Sequence, residues 1–131
     1  VTENEREKEL NAICLKFLDA FNKNDIDLVM SFFTEDAVYE EFHGKKNLGK
    51  SEIRKSFEKL FSGQFGKVRF DEDNTFISSS QNKVMSSWTL HLQISKAHKT
   101  MRGLDLLHFD GNLINFKGTY AKAAEALYQD Q

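Results

Sequence analysis

The chain has no proline, one cysteine and one tryptophan in 131 residues. Without proline there is no polyproline segment and no proline-stiffened linker. A single cysteine excludes an internal disulfide, and beside only four histidines it argues against a structural zinc site. A basic excess is missing too. The net charge is −2, whereas a nucleic-acid binder needs surplus cations to displace counterions, so no nucleic-acid partner is expected. No apolar run approaches the ~20 residues of a membrane span, and no signal-peptide core is visible. These absences predict no membrane partner and a cytoplasmic location, although the opening at Val1 leaves room for a removed leader. What is present is a 40% apolar fraction, a 29% charged fraction and twelve phenylalanines. That balance suits one soluble domain over 1–131 with an aromatic interior.

Thr2 with Glu5 fits a capping box ahead of Leu10, Ile13, Cys14, Phe17, Leu18 and Phe21. Their steps of three and four predict one inward stripe of a helix, with Cys14 a small packing residue on it. Asn22-Lys23-Asn24 breaks the helix, and Asp25 is placed to cap a short second one carrying Ile26, Val29, Met30 and Phe33. A strand is expected over Ala37–His43 and a polar turn over Gly44–Lys50. A third helix follows, with Ile53, Phe57, Leu60 and Phe61 on one face and Gly63 as its stop. Beyond Gly66 the period approaches two. Candidate strands run over Lys67–Ile77, Lys83–Ser95, Thr100–Phe109 and Asn112–Tyr120, with Lys96-Ala97-His98-Lys99 and Asp110-Gly111 among the turns. Short links imply antiparallel neighbours. Ala121–Tyr128 reads as a terminal helical turn. The sum is an α+β domain: a strongly curved, mostly antiparallel sheet, with three helices from the N-terminal half packed on its concave face around a pocket.

Gly44-Lys45-Lys46-Asn47-Leu48-Gly49-Lys50-Ser51 satisfies the phosphate-loop pattern G-x-x-x-x-G-K-[ST] between a strand and a helix. Its surroundings disagree. Glu40, Glu41 and His43 replace the apolar run of a buried parallel strand, and two carboxylates would repel a triphosphate. No apolar run ending in Asp follows to hold magnesium, and a meander is not a parallel sheet. Nucleotide binding at 44–51 is therefore the least favoured reading.

In order and spacing, several pieces resemble the SnoaL-like group of the nuclear-transport-factor-2-like superfamily, whose members share a cone-shaped α+β barrel. They are Asn24-Asp25-Ile26-Asp27 with Phe32–Val38, Gly49–Arg54, Arg102–Asp105, Phe109-Asp110-Gly111 and Lys117–Tyr120. The resemblance implies a hydrophobic pocket inside the sheet, a homodimer through its other face, and no cofactor. The superfamily holds ketosteroid isomerases, polyketide cyclases, epoxide hydrolases, dehydratases and members of unknown activity, so fold alone does not choose among them.

By that resemblance Glu41 stands where the isomerases carry their general base. Alternation groups it with Tyr39 and His43, while a register slip of one would put Glu40 in its place. Asp105 interrupts Leu104, Leu106 and Leu107, and a carboxyl in such a strand has to be protonated, paired or wet. The resemblance matches it to the aspartic acid that donates to the substrate oxyanion; the alternative is a salt bridge to Arg102 or a helix lysine. Phe17 aligns with the isomerase tyrosine and Gly118 with the epoxide hydrolases' aspartate, so neither constellation is intact. His91 is a further candidate acid or base and His43 a candidate to orient Glu41. Phe17, Phe21, Phe33, Phe57 and Phe61, with Tyr39, His43, Trp88 and Tyr120, are the expected pocket wall. No metal-binding spacing joins Glu41, His43 and Asp105. The reading is a domain for a small hydrophobic, carbonyl-bearing ligand with isomerase- or cyclase-type acid–base chemistry, or else a non-catalytic binding or dimerisation module.

Overall fold

The capping box forms as the sequence requires. In the computed structural model, which describes residues 1–130, Thr2 Oγ1 accepts from the Glu5 amide at 3.1 Å and opens helix α1, Glu3–Asn22. Asp25 likewise accepts from the Leu28 amide and opens the one-turn helix α2, Ile26–Met30. The described residues form one further helix, α3 (Lys50–Leu60), and six strands. The strands are β1 Phe33–Glu40, β2 Lys46–Leu48, β3 Arg69–Ser78, β4 Lys83–Ile94, β5 Ala97–Asp110 and β6 Leu113–Ala121.

They make one mixed sheet in the order β2-β1-β6-β5-β4-β3, with β1 and β6 parallel and every other pair antiparallel. Its two edges, β2 and β3, do not pair, so the sheet is curved but open and the expected barrel does not close. Register shifts interrupt the ladders between Phe33 and Val38, Glu72 and Asn74, and His108 and Phe109. Such bulges bend a strand and raise its twist.

The helices pack on the concave face. Leu10, Phe17, Ala20 and Phe21 of α1 and Ile53 and Phe57 of α3 join Val84, Leu107, Phe109 and Ile114 of the sheet in one buried cluster. Phe21 is its hub, edge-on to Phe17 at 5.0 Å, Phe57 at 5.2 Å and Phe70 at 5.4 Å. Edge-to-face pairs add about 0.5–1.5 kcal/mol each to the ~1.5–3 kcal/mol from burying a large apolar side chain. Cys14 packs against this cluster, and burial, helped by the negative field of Glu72 and Asp105, pushes its thiol up to about 12.

Several sequence expectations need correction. Phe33 begins β1 rather than belonging to the second helix, because α2 closes at Met30. β1 stops at Glu40, so Glu41, Phe42 and His43 form the turn into β2, which lies inside the segment read as a polar turn. That pairing also removes the phosphate-loop reading. Gly49 donates to the Ala37 carbonyl at 2.8 Å, and Lys46–Leu48 are laddered to β1, so the segment is an extended edge strand rather than a loop wrapped around a phosphate. His98 is not in a turn: Ser95 and Lys96, both at positive φ, make a two-residue link and His98 pairs with Gln93 in the ladder. Residues 122–130 form no helix, and Lys122 extends the sheet by donating to Arg102.

Candidate functional site

Gly103 shapes the floor of the concave face. It pairs directly with Trp88, and a Cβ there would lie 2.5 Å from the indole Cη2 and from the Tyr120 carbonyl. The missing side chain lets the indole lie across β5 and bring Nε1 to Asp105 Oδ2 at 3.1 Å. Asp105 Oδ1 accepts from Lys117 Nζ at 3.1 Å and from Thr119 Oγ1 at 2.7 Å. Lys117 also donates to Thr119 at 2.8 Å and stands 4.3 Å from the Tyr39 ring centroid. The Lys117 side chain is 6% exposed and that of Asp105 14%, so this is a buried ion pair held by further hydrogen bonds. Burial works against the ammonium, but the Asp105 charge and its hydrogen bond outweigh it and hold Lys117 above the ordinary lysine value. Burial pushes the Tyr39 phenol up, with Lys117 opposing.

Above this floor lies a cavity of about 260 Å³. Its wall is mainly aromatic and aliphatic, with Phe17, Phe21 and Leu18 from α1, Phe57 and Leu60 from α3, and Phe70, Trp88 and Leu90 from the sheet. Glu41 sits in the same wall. Its Oε2 accepts from Asn47 Nδ2 at 3.0 Å, and Asn47 is itself buried and also reaches the Tyr39 carbonyl. His43 Nε2 is 3.7 Å from Glu41 Oε1 but nearly half exposed, and it does not line the cavity. Lys59 and Phe42 also border the cavity, and both are exposed.

The structure thus brings Glu41, Asp105, Phe17, Phe21, Tyr39, Phe57 and Trp88 around one volume. Besides His43, four other expected residues lie elsewhere. Phe33 and Phe61 pack behind the wall, against Phe17 and Phe21 respectively. Tyr120 is 59% exposed on the outer face, because a bulge in β6 turns its parity outward. His91 alternates with Trp88 and Leu90 and so lies on the convex face, bonded to Asp71 and His98. Its proposed acid–base role at the pocket is withdrawn. Asp105 changes role as well: both its oxygens accept, so it has no donor for a ligand oxygen, and its cation is neither Arg102 nor a helix lysine. Lys117, Thr119 and Asn47 were not foreseen. Among the described residues, no three His, Cys, Asp or Glu side chains converge to hold a metal ion, and no helix is long and apolar enough to cross a membrane.

A family model described as a SnoaL-like domain matches residues 15–115. The chain belongs to the SnoaL-like family. No curated protein matches this SnoaL-like chain in sequence, but many solved structures share its fold. A candidate polyketide cyclase from Xanthomonas campestris superposes with a TM-score of 0.79 at 14% identity, covering 88% of this chain and 91% of that one. PrhC from Penicillium brasilianum gives 0.80 at 15% identity, covering 89% and 82%. A protein with a ketosteroid isomerase-like fold from Catenulispora acidiphila, in complex with trimethylamine, gives 0.72 at 14% identity, covering 82% and 83%. At such identities the likeness is one of fold, the cystatin-like or nuclear-transport-factor-2-like α+β architecture.

Proposed function

We propose that this SnoaL-like domain binds a small hydrophobic, carbonyl-bearing molecule in the concave cavity, with the carbonyl oxygen directed at Lys117. The observation that carries the reading is a buried ammonium at the floor of an otherwise apolar cavity. Pockets of this kind bind through their walls and orient through a few convergent polar groups. Lys117 has three protons, and two are committed to Asp105 and Thr119. The third is shared with the Tyr39 side chain, so an entering carbonyl oxygen takes it by displacing that contact, and in a dry site it stabilises charge developing on that oxygen far better than it would in water. Asp105 then acts by holding that ammonium charged and in place. Glu41, fixed by Asn47, is the group that removes a proton from the carbon beside the carbonyl. This is isomerase- or cyclase-type acid–base chemistry by side chains alone.

Trp88 is the sole tryptophan and lines the cavity, so its emission reports occupancy. Titration with 1-tetralone and with its hydrocarbon counterpart tetralin tests the orientation. Tetralone should bind at least tenfold more tightly, and Lys117→Met should abolish that preference. If neither compound perturbs Trp88 saturably, the binding reading is lost. Catalysis has a separate test: deuterium uptake next to the tetralone carbonyl in heavy water, followed by NMR, should vanish in Glu41→Gln.

The non-catalytic reading is favoured by one observation, the apolar stripe of exposed Phe76, exposed Met85 and half-buried Leu106 running across β3, β4 and β5 by direct pairing on the convex face. Burying it against a second copy would make a homodimer. Sedimentation should then show a dimer that Met85→Lys dissociates.

A further inference from the structure

The geometry points to a second site, on the convex face, where His91 and His98 form a two-imidazole chelate for a borderline transition-metal ion such as Cu²⁺, Ni²⁺ or Zn²⁺. Three adjacent strands create it. Asp71 on β3, His91 on β4 and His98 on β5 share the outer face as successive diagonal neighbours, since Arg69 pairs with His91 and His98 pairs with Gln93. His91 Nε2 lies 2.9 Å from Asp71 Oδ2, and its Nδ1 lies 3.1 Å from His98 Nε2.

A carboxylate oxygen accepts, so the proton of neutral His91 belongs on Nε2 and its Nδ1 presents a bare lone pair. His98 answers with its Nε2–H. Moving that proton to the other ring nitrogen of His98, or losing it to solvent, leaves two imidazole lone pairs 3.1 Å apart. Two metal–nitrogen bonds of ~2.0–2.1 Å span about 2.9 Å at a right angle and about 3.3 Å at the tetrahedral angle. The observed separation falls between these. The two rings lie in near-parallel planes, 3° apart, with the two nitrogens now facing each other, so both imidazoles have to swing toward solvent by roughly 40° for their lone pairs to meet at one ion.

A carboxylate behind the outer nitrogen of a ligating histidine fixes its tautomer and raises its basicity. Asp71 stands there, itself held by Arg69 at 3.3 Å. The groove beside the histidines, lined also by Lys67, Arg69, Leu92 and Gln93, has about 320 Å³ for the remaining water ligands. Arg69 is paired to Asp71, which leaves Lys67 as the unfavourable neighbouring charge. The donor set is nitrogen alone, so imidazole-preferring ions are selected and Ca²⁺ and Mg²⁺ are not. Two imidazoles fall short of a three-residue site, which makes this an open, exchangeable site that staples β4 to β5.

The test is isothermal titration of the whole chain with Cu²⁺, Ni²⁺, Zn²⁺ and Mg²⁺, with the histidine ring resonances followed by NMR for the diamagnetic Zn²⁺. One equivalent should bind, Cu²⁺ most tightly and Mg²⁺ not at all, with His91 and His98 ring signals shifting together. His91→Ala and His98→Ala should each weaken binding at least tenfold, Asp71→Asn should weaken it about 10–100-fold, and His108→Ala should change nothing. Circular dichroism confirms that each variant is folded. Unchanged affinity in His98→Ala, or ring shifts confined to His91, would overturn the chelate. So would loss of binding in His108→Ala.

Discussion

Two carboxylates border the same cavity at similar depth, with side chains 14% exposed for Asp105 and 18% for Glu41, yet they are held in opposite ways. Asp105 is saturated by an ammonium, a hydroxyl and an indole N–H. Glu41 has one amide donor and a loosely placed imidazole. Burial alone therefore does not assign chemistry. A carboxylate locked by three donors sets the field of the site, whereas one with an uncommitted oxygen can receive a proton. The contrast also divides labour between structure and reaction, and that division can be broken experimentally.

The largest expected effect is on the locked side. Removing one member of a buried pair strands the other without its counter-charge, which typically costs about 3–5 kcal/mol. Lys117→Met should lose stability on that scale in urea unfolding, while Lys117→Met with Asp105→Leu should recover much of it. A double variant no more stable than the single one would mean that the pair is not the source of the loss. Glu41→Gln should change stability by less than about 1 kcal/mol, since Asn47 can still donate to the amide oxygen.

Next in size is Gly103→Ala. Its Cβ would meet the Trp88 ring and the Tyr120 carbonyl at 2.5 Å, so the indole must move off Asp105. Overpacking of this kind costs about 1–3 kcal/mol, and the Trp88 emission should shift with it. An unshifted spectrum would show that glycine is not what seats the indole.

Much of this was legible in sequence, and the failures share a cause. Helical stripes, both caps and the antiparallel run from β3 to β6 follow from spacing, because period and capping chemistry are local, whereas β2 and the parallel pairing of β1 with β6 do not. Glu41 and Asp105 stood out because a carboxyl breaks an apolar or strand pattern. Lys117 and Thr119 did not, and the reason is one residue. Counting back from the Asp110-Gly111 turn, Asp110 opposes Leu113, which would set Asp105 opposite Gly118 and turn Tyr120 inward. The bulge inserts Asn115 between the pairs Phe109–Ile114 and His108–Phe116, so Asp105 opposes Thr119 instead. That slip swaps every side chain of the strand between faces. It brings Lys117 to the cavity and sends Tyr120 out, and no local residue pattern announces it.

The subtlest expected effect concerns pH. Cys14, Tyr39 and Lys117 all hold their protons more tightly when folded than their ordinary values. The sign follows from proton counts. Above an ordinary value the unfolded chain has released a proton that the folded chain retains, so stability falls as pH rises through that window and is intact below it. The first loss belongs to Cys14, between its ordinary 9.0 and about 12, with a slope of at most about 1.4 kcal/mol per pH unit. Tyr39 and Lys117 add theirs above 10.0 and 10.5. Cys14→Ala should therefore flatten the unfolding free energy between pH 9 and 10, while leaving the steeper fall beyond it. Since that later fall comes from the floor of the cavity, Lys117→Met should remove its own share, whereas Glu41→Gln should not. An alkaline profile identical in all three variants would remove the contrast between a locked and a free carboxylate as the organising feature of this site.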